Sequence, residues 1–251
     1  MGQGELWVVY DNKVAVEGAK PGWGFACLIR APGVRVLFDT GAEGETLLGN
    51  MALLKLDPRD IEHVVLSHEH WDHTGGLGAL LGRWQAEPAP ARQRELTVWV
   101  PESFSERFTS KVEQLGARVE RVSGPCEIAP GVWSTGQVEG PMAEQGIVLE
   151  AQAGRILITG CAHPGITAMT ERARELGPVE LVLGGFHLMS TSPAEVGEII
   201  ERLKKVGVLR AGPCHCTGDR AIRMFAEAYG EHFVEIGAGS RLDWAPASRA
   251  R

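Results

Sequence analysis

The sequence predicts a mixed fold of the α/β or α+β kind, and three observations carry that expectation. Short β-branched and aliphatic runs recur along the chain, and segments with apolar residues at helical spacing lie between them. No long Pro/Gly/Ser linker interrupts the 251 residues, so one domain spanning 1–251 is expected. At 27.1 kDa the chain is long enough to close a sizeable core.

Taken in order, residues 6–10, 24–30 and 34–38 are strand-like, the last two joined by the turn Ala31-Pro32-Gly33. Leu47, Leu48, Met51 and Leu54 then follow helical spacing over 45–54, and Asp57-Pro58-Arg59-Asp60 ends that helix. A strand leads to His68, and 77–81 reads as a short helix. Residues 83–95, rich in Ala, Pro, Gln and Arg, read as a solvated connection or a loop over the site. Strands are expected at 97–100, 118–122 and 132–135, and a strand pair at 147–158 turns around Ala153-Gly154. Later strands fall at 179–183, 208–213 and 233–236. Helices are expected at 102–115, 166–176, 194–206 and 217–229.

A formal net charge of −7 and a pI near 5.7 leave no global positive field to attract nucleic acid. The partner expected is a small molecule, in one reading phosphorylated, with no nucleic acid and no membrane; the oligomeric state is open. Five cysteines form no regular disulfide spacing, and Cys161, Cys214 and Cys216 lie beside histidines, which points to a reducing compartment. The N-terminus lacks a basic stretch followed by an apolar core, and no run approaches the roughly 20 apolar residues of a membrane span. A cytoplasmic protein is expected.

The chemistry concentrates in His68-Glu69-His70-Trp71-Asp72-His73, directly after the apolar run Val64-Val65-Leu66-Ser67. His68 and His70 alternate by two and so project to one side of an extended segment, with Asp72 and His73 following at the turn. A His-rich polar loop is the bland alternative. With eight histidines in the whole chain, so many ligand-type side chains at this spacing favour one or two divalent ions. His215 follows a predicted strand and precedes a predicted helix, which makes it the firmest of the later candidates over a mere helix-capping role. Cys161 is a ligand or a buried apolar filler. His163, two residues on, faces the same way in extended chain. His187 follows Gly184-Gly185, whose lack of side chains lets the backbone approach something closely. His63 and His232 read as structural.

The pattern H-x-H-x-D-H resembles that of the metallo-β-lactamase superfamily, and Phe38-Asp39-Thr40-Gly41 resembles the strand and turn that precede it there. Asn50, Thr159-Gly160-Cys161-Ala162-His163-Pro164-Gly165-Ile166, Gly184-Gly185-Phe186-His187-Leu188 and Cys214-His215-Cys216-Thr217-Gly218 are similar to a narrower branch. That branch is named for 7,8-dihydropterin-6-methyl-4-(β-D-ribofuranosyl)aminobenzene-5′-phosphate synthase. The resemblance implies an α+β fold, the four-layer αββα sandwich. It implies a mono- or dinuclear site holding zinc, with manganese or iron as alternatives, drawn from His68, His70, Asp72, His73, Cys161, His163 and His215. Cys161 stands where much of the superfamily has a metal-bridging aspartate. The usual third histidine of the first metal is missing from 133–146, and His163 is its substitute. Asp39 is expected either to orient a ligand imidazole or to close its turn. Trp23 stands where the branch tends to carry His before Gly.

Catalytic roles then fall to Asp72, orienting the nucleophile, and His187, at the site wall as a proton donor or phosphate contact, with direct metal ligation the less favoured alternative. Thr74-Gly75-Gly76 is expected to offer backbone N–H groups to an anion. Metal-assisted hydrolysis of a phosphoryl or carbonyl compound is the default chemistry. The branch name implies the alternative, C–N bond formation between a dihydropterin diphosphate and an arylamine ribotide with release of pyrophosphate. A non-catalytic metal-binding protein is the remaining class, and the intact ligand set argues against it. Di-iron oxygen chemistry is disfavoured because His70 is not replaced by glutamate.

Overall fold

The computed structural model describes residues 3–86 and 95–247, and shows two mixed β-sheets packed face to face with helices on each outer surface. The first sheet contains β1 (Gly4–Tyr10), β2 (Ala26–Ala31), β3 (Val34–Phe38), β4 (His63–Val65), β5 (Thr97–Pro101), β6 (Arg118–Val122) and, late in the chain, β13 (Arg241–Trp244). Its order is β13-β1-β2-β3-β4-β5-β6. The second contains β7 (Cys126–Ala129), β8 (Val132–Ser134), β9 (Ile147–Ala151), β10 (Gly154–Thr159), β11 (Val179–Gly185) and β12 (Arg210–Cys214), in the order β12-β11-β10-β9-β8-β7.

The period-2 alternation of each strand explains the layering. Val34, Val36 and Phe38 of β3 meet Ile156 and Ile158 of β10 and Leu181 and Leu183 of β11 in a core between the sheets. The intervening Leu37 faces the opposite way, into a second core under α1 (Gly44–Leu53), α3 (Leu77–Gln85) and α4 (Glu106–Gln114). Leu157 and Val182 likewise face a third core under α5 (Ile166–Arg174), α6 (Pro193–Lys205) and α7 (Asp219–Tyr229). Three apolar layers separating four structural ones make the αββα sandwich. A one-residue slip in β3 or β10 would exchange the inner and outer faces, so burial on both faces fixes the register.

Several boundaries differ from the sequence reading. The helix expected from 102 begins at Glu106, because the Ser105 side chain accepts the Phe108 N–H and caps it there. The strand expected at 233–236 is reduced to one bridge between Phe233 and Ala211. Strands β7 and β13 went unpredicted: β13 is four residues long, and its place beside β1 depends on long-range pairing rather than local pattern. Of the connection at 83–95, positions 87–94 lie outside the described residues. Among the described residues, no helix is long and apolar enough to cross a membrane.

Strand direction places the site. β3, β4 and β5 run parallel, as do β10, β11 and β12, so the segments leaving β3, β4, β10, β11 and β12 all emerge at C-terminal strand ends. Four of those exits carry a non-glycine residue with positive φ: Asp39, Ala162, His187 and His215. Such backbone costs on the order of 1 kcal/mol or more per residue, and packing must hold it in place.

Candidate metal centre

Six of the eight histidines converge at these strand ends. The short helix α2 (Trp71–Thr74) turns the chain immediately after His70, so His68 and His70 leave β4 on extended backbone while Asp72 and His73 sit on the helical turn. Ligand atoms of His68, His70 and His163 lie within 4.8 Å of one another, as do those of Asp72, His73 and His215. Cys161 forms a third such group with His68 and His73, its sulfur 3.2 Å from His73 Nε2. A further group joins Cys161, His187 and Cys216.

Three of the six imidazoles are anchored through Nδ1, whereas His70 Nδ1 lies 3.0 Å from His68 Nε2. His73 Nδ1 donates to Asp39 Oδ2 at 2.7 Å, and His68 Nδ1 lies 2.9 Å from Ser67 Oγ, which itself donates to the same Asp39 oxygen at 2.7 Å. A single buried carboxyl thereby orients two rings; its other oxygen accepts the Ser67 N–H at 2.7 Å. His215 Nδ1 lies 2.9 Å from Asn12 Oδ1, leaving Nε2 turned toward Asp72 Oδ2 at 3.4 Å. Anchoring one nitrogen in this way fixes the other as the free acceptor, the arrangement metal-binding histidines share. His63, by contrast, accepts from Trp99 Nε1 and belongs to the sheet.

Glu144 is the residue that the sequence reading missed. Its carboxyl is fully buried, and it accepts from the backbone N–H groups of Gly160, Cys161, Ala162 and His163 at 2.9–3.0 Å. Those four bonds shape the turn that presents Cys161 and His163. The neighbouring Gln145 donates to Leu66 and Trp99 carbonyls and receives the Ser134 hydroxyl, tying the exit of β4 to the second sheet. The only local signal was a Glu-Gln pair amid a turn-rich segment. The same turn accounts for Gly160, where a Cβ would come within 2.2 Å of Ser67 Oγ and 2.8 Å of Asp39 Oδ2. What Gly184-Gly185 approaches is now visible too: a Cβ on Gly185 would lie 2.2 Å from the Gly160 carbonyl and 2.8 Å from Cys216 Sγ.

The anion cradle expected at Thr74-Gly75-Gly76 does not form. Those three N–H groups donate to the carbonyls of His70, Trp71 and Gly41, and the glycines serve close packing against Ala42 and Thr40. Asn50, another motif residue, ties the loop at Lys20 to the Val9 carbonyl of β1.

The electrostatics follow from crowding. Burial works against ionisation of Asp72, but the His215 hydrogen bond and the His73 and His215 rings outweigh it and hold the carboxyl at about 2. Burial likewise disfavours the charged form of His73, yet Asp39 and then Asp72 and Glu144 lift it to about 9. His163 is pushed down to about 4 by burial and by the His187 and His70 rings. Cys161 is raised through its hydrogen bond with Cys216 and its burial. Burial opposes the Cys216 thiolate as well, but hydrogen bonds from Cys161 and His187 hold that thiol well below its ordinary range.

The donor set suits a divalent cation. Nε2 of His163 is buried without a hydrogen-bond partner, and Nε2 of His215, equally buried, reaches only Asp72 Oδ2 at 3.4 Å, an arrangement that asks for an occupant between the side chains. Imidazole, carboxylate and thiolate together match zinc chemistry. Beside His215 opens a cavity of about 340 Å³, lined by Asp11, Asn12, Trp23, Met189 and Gly218 among others. Trp23 is 45% exposed, and its ring centroid lies 5.2 Å from that of His215.

The family model of the metallo-β-lactamase superfamily matches residues 21–196, the stretch that holds the H-x-H-x-D-H motif, Glu144, Cys161, His163 and His187. The chain belongs to the metallo-β-lactamase superfamily. It is 30% identical over 243 residues to the 7,8-dihydropterin-6-methyl-4-(β-D-ribofuranosyl)-aminobenzene-5′-phosphate synthase of Methanocaldococcus jannaschii, covering 82% of this chain and 83% of that protein. Among solved structures, a metal-dependent hydrolase of the β-lactamase superfamily superposes with a TM-score of 0.78 at 25% identity, covering 96% of this chain and 99% of that one. The metallo-β-lactamase fold protein YhfI of Bacillus subtilis reaches a TM-score of 0.72 over 96% of this chain and 100% of its own, at 14% identity, a likeness of fold alone. This member of the superfamily carries the complete H-x-H-x-D-H motif.

Proposed function

We propose that this chain is a metal-dependent enzyme acting on the phosphorylated end of a small substrate that carries a planar ring. The observation behind the reading is that two three-residue ligand groups, His68/His70/His163 and Asp72/His73/His215, gather at the strand ends and that His215 of the second group lines a cavity edged by Trp23. Divalent cations held there supply Lewis-acid stabilisation to negative charge building on a phosphoryl oxygen. The chain's own residues do the rest. Asp39 and Ser67 keep His68 and His73 in one tautomer, and Asn12 does so for His215. Asp72, anionic at neutral pH, sits between the His73 and His215 rings. Trp23 offers an aromatic face to a ring, and Asp11 Oδ2, buried and without a partner, offers an acceptor to ring N–H donors.

Between the two reactions this centre supports, the methanogen relative favours C–N bond formation. The arylamine nitrogen attacks the methylene carbon of a dihydropterin diphosphate, the carbon–oxygen bond breaks, pyrophosphate leaves with the bonding pair, and the amine loses a proton. Hydrolysis, the alternative, has water in place of the amine. The deciding experiment incubates the zinc- or manganese-loaded enzyme with 6-hydroxymethyl-7,8-dihydropterin diphosphate, with and without an arylamine ribotide phosphate. Pyrophosphate release that requires the arylamine supports the synthase. Equal release without it means hydrolysis, and no release from the loaded enzyme in either mixture overturns the pterin reading.

A further inference from the structure

Three neighbouring parallel strands, β10, β11 and β12, each end in one soft or borderline ligand: Cys161, His187 and Cys216. Their ligand atoms lie within 4.8 Å of one another. The Cys216 thiol donates to the Cys161 carbonyl at 3.7 Å, which holds the two chain segments together. The backbone is shaped for this approach. His187 takes a positive φ of 53° immediately after Gly184-Gly185-Phe186, and any side chain at Gly185 would collide with the Cys216 sulfur. Both cysteines are buried, while His187 is exposed.

We propose that Cys161, His187 and Cys216 form a third metal position for a thiophilic ion, sharing the Cys161 sulfur with the two-group centre and reached from solvent past His187. Bonds of about 2.0–2.3 Å to zinc hold the ligands of one ion about 3.5–4 Å apart, so small side-chain shifts close this set. Two thiolates and one imidazole are a soft donor set, distinct from the imidazole-carboxylate groups beside it. Three protein ligands with the exposed side open leave a fourth coordination position, the arrangement of zinc sites that accept an exogenous group. His187 is then a ligand, the alternative the sequence favoured less than a proton donor or phosphate contact. The inference extends the proposed centre, since the Cys161 sulfur also groups with His68 and His73, and the two fail separately.

The test is titration of the full-length, metal-stripped chain with cadmium, followed by counting bound ions by native mass spectrometry and the cadmium–thiolate charge-transfer absorption. Wild type should bind three ions, the third of them lost in Cys216→Ser together with about half of the thiolate absorption. His187→Ala alters an exposed side chain, so folding is spared; it should weaken the third ion at least tenfold. Equal stoichiometry and equal absorption in wild type and Cys216→Ser, or unchanged affinity in His187→Ala, would overturn the third position while leaving the other two groups standing. Wild type that binds no cadmium sinks the larger reading as well.

Discussion

Asp39 Oδ2 lies 2.7 Å from His73 Nδ1, and the opposite nitrogen of that ring lies 3.2 Å from the sulfur of Cys161. The same oxygen takes the Ser67 hydroxyl, through which His68 is also held. Asp39 therefore orients two imidazoles and ties the exit of β3 to that of β4 through Ser67; it does not close its own turn, whose Thr40 and Gly41 N–H groups donate to the His73 and Phe25 carbonyls.

Asp39→Asn tests that double role. The amide can still accept the Ser67 N–H, but its NH₂ group faces a ring N–H and a hydroxyl proton, so ring orientation suffers. Metal affinity is expected to fall by about 10- to 100-fold, the usual effect of losing a group that orients a metal-binding histidine. Chelator competition measures it, and unchanged affinity would count against the assignment.

The His73 pair also sets a pH dependence. The folded value of about 9 stands above the ordinary 6.5, so in the metal-free protein the pair stabilises the fold fully below pH 6.5. That contribution fades as pH rises through 9. Metal uptake at this ring requires the proton to leave, so affinity should climb across the same window and binding should release a proton. Apo melting temperatures between pH 6 and 9.5, with calorimetric titrations in two buffers of different ionisation enthalpy, check both signs. Metal affinity that is flat between pH 6.5 and 9 would remove the Asp39–His73 pair as the cause.

Glu144→Gln should be severe for its size. The carbonyl oxygen of glutamine can still serve part of the turn, but its NH₂ opposes the His163 N–H and leaves a buried donor unsatisfied. A loss of about 2–3 kcal/mol in stability is expected, with weaker metal binding at His163. Denaturant unfolding of the apo variant, alongside metal stoichiometry, gives the answer; a loss under about 0.5 kcal/mol would show that the turn holds without it.

Trp23→Ala should leave metal content intact while raising the KM for a ring-bearing substrate by about three- to tenfold, the worth of one aromatic contact. A change in kcat with KM constant would move Trp23 from binding a ring to positioning His215, which it touches.

Much of this protein is legible in the chain by itself. The alternation in β3, β10 and β11 reveals buried strands, and the H-x-H-x-D-H motif announces a metal centre because six consecutive residues bring their own ligands together. Cys161, His163, His187 and His215 could be named as candidates from their places after strand-like runs. Their grouping could not, since which histidine sits beside which depends on the parallel order β10-β11-β12 and on the packing of one sheet against the other. Glu144 and Asn12 were invisible for the same reason, and Cys216 stood out only as a cysteine beside a histidine. Glu144 acts on backbone 16 to 19 residues away, and Asn12 holds a ring 203 residues away. Hydrogen bonds of such span leave no periodic trace, so they are decided only when the strands have closed and burial makes each unpaired polar atom costly.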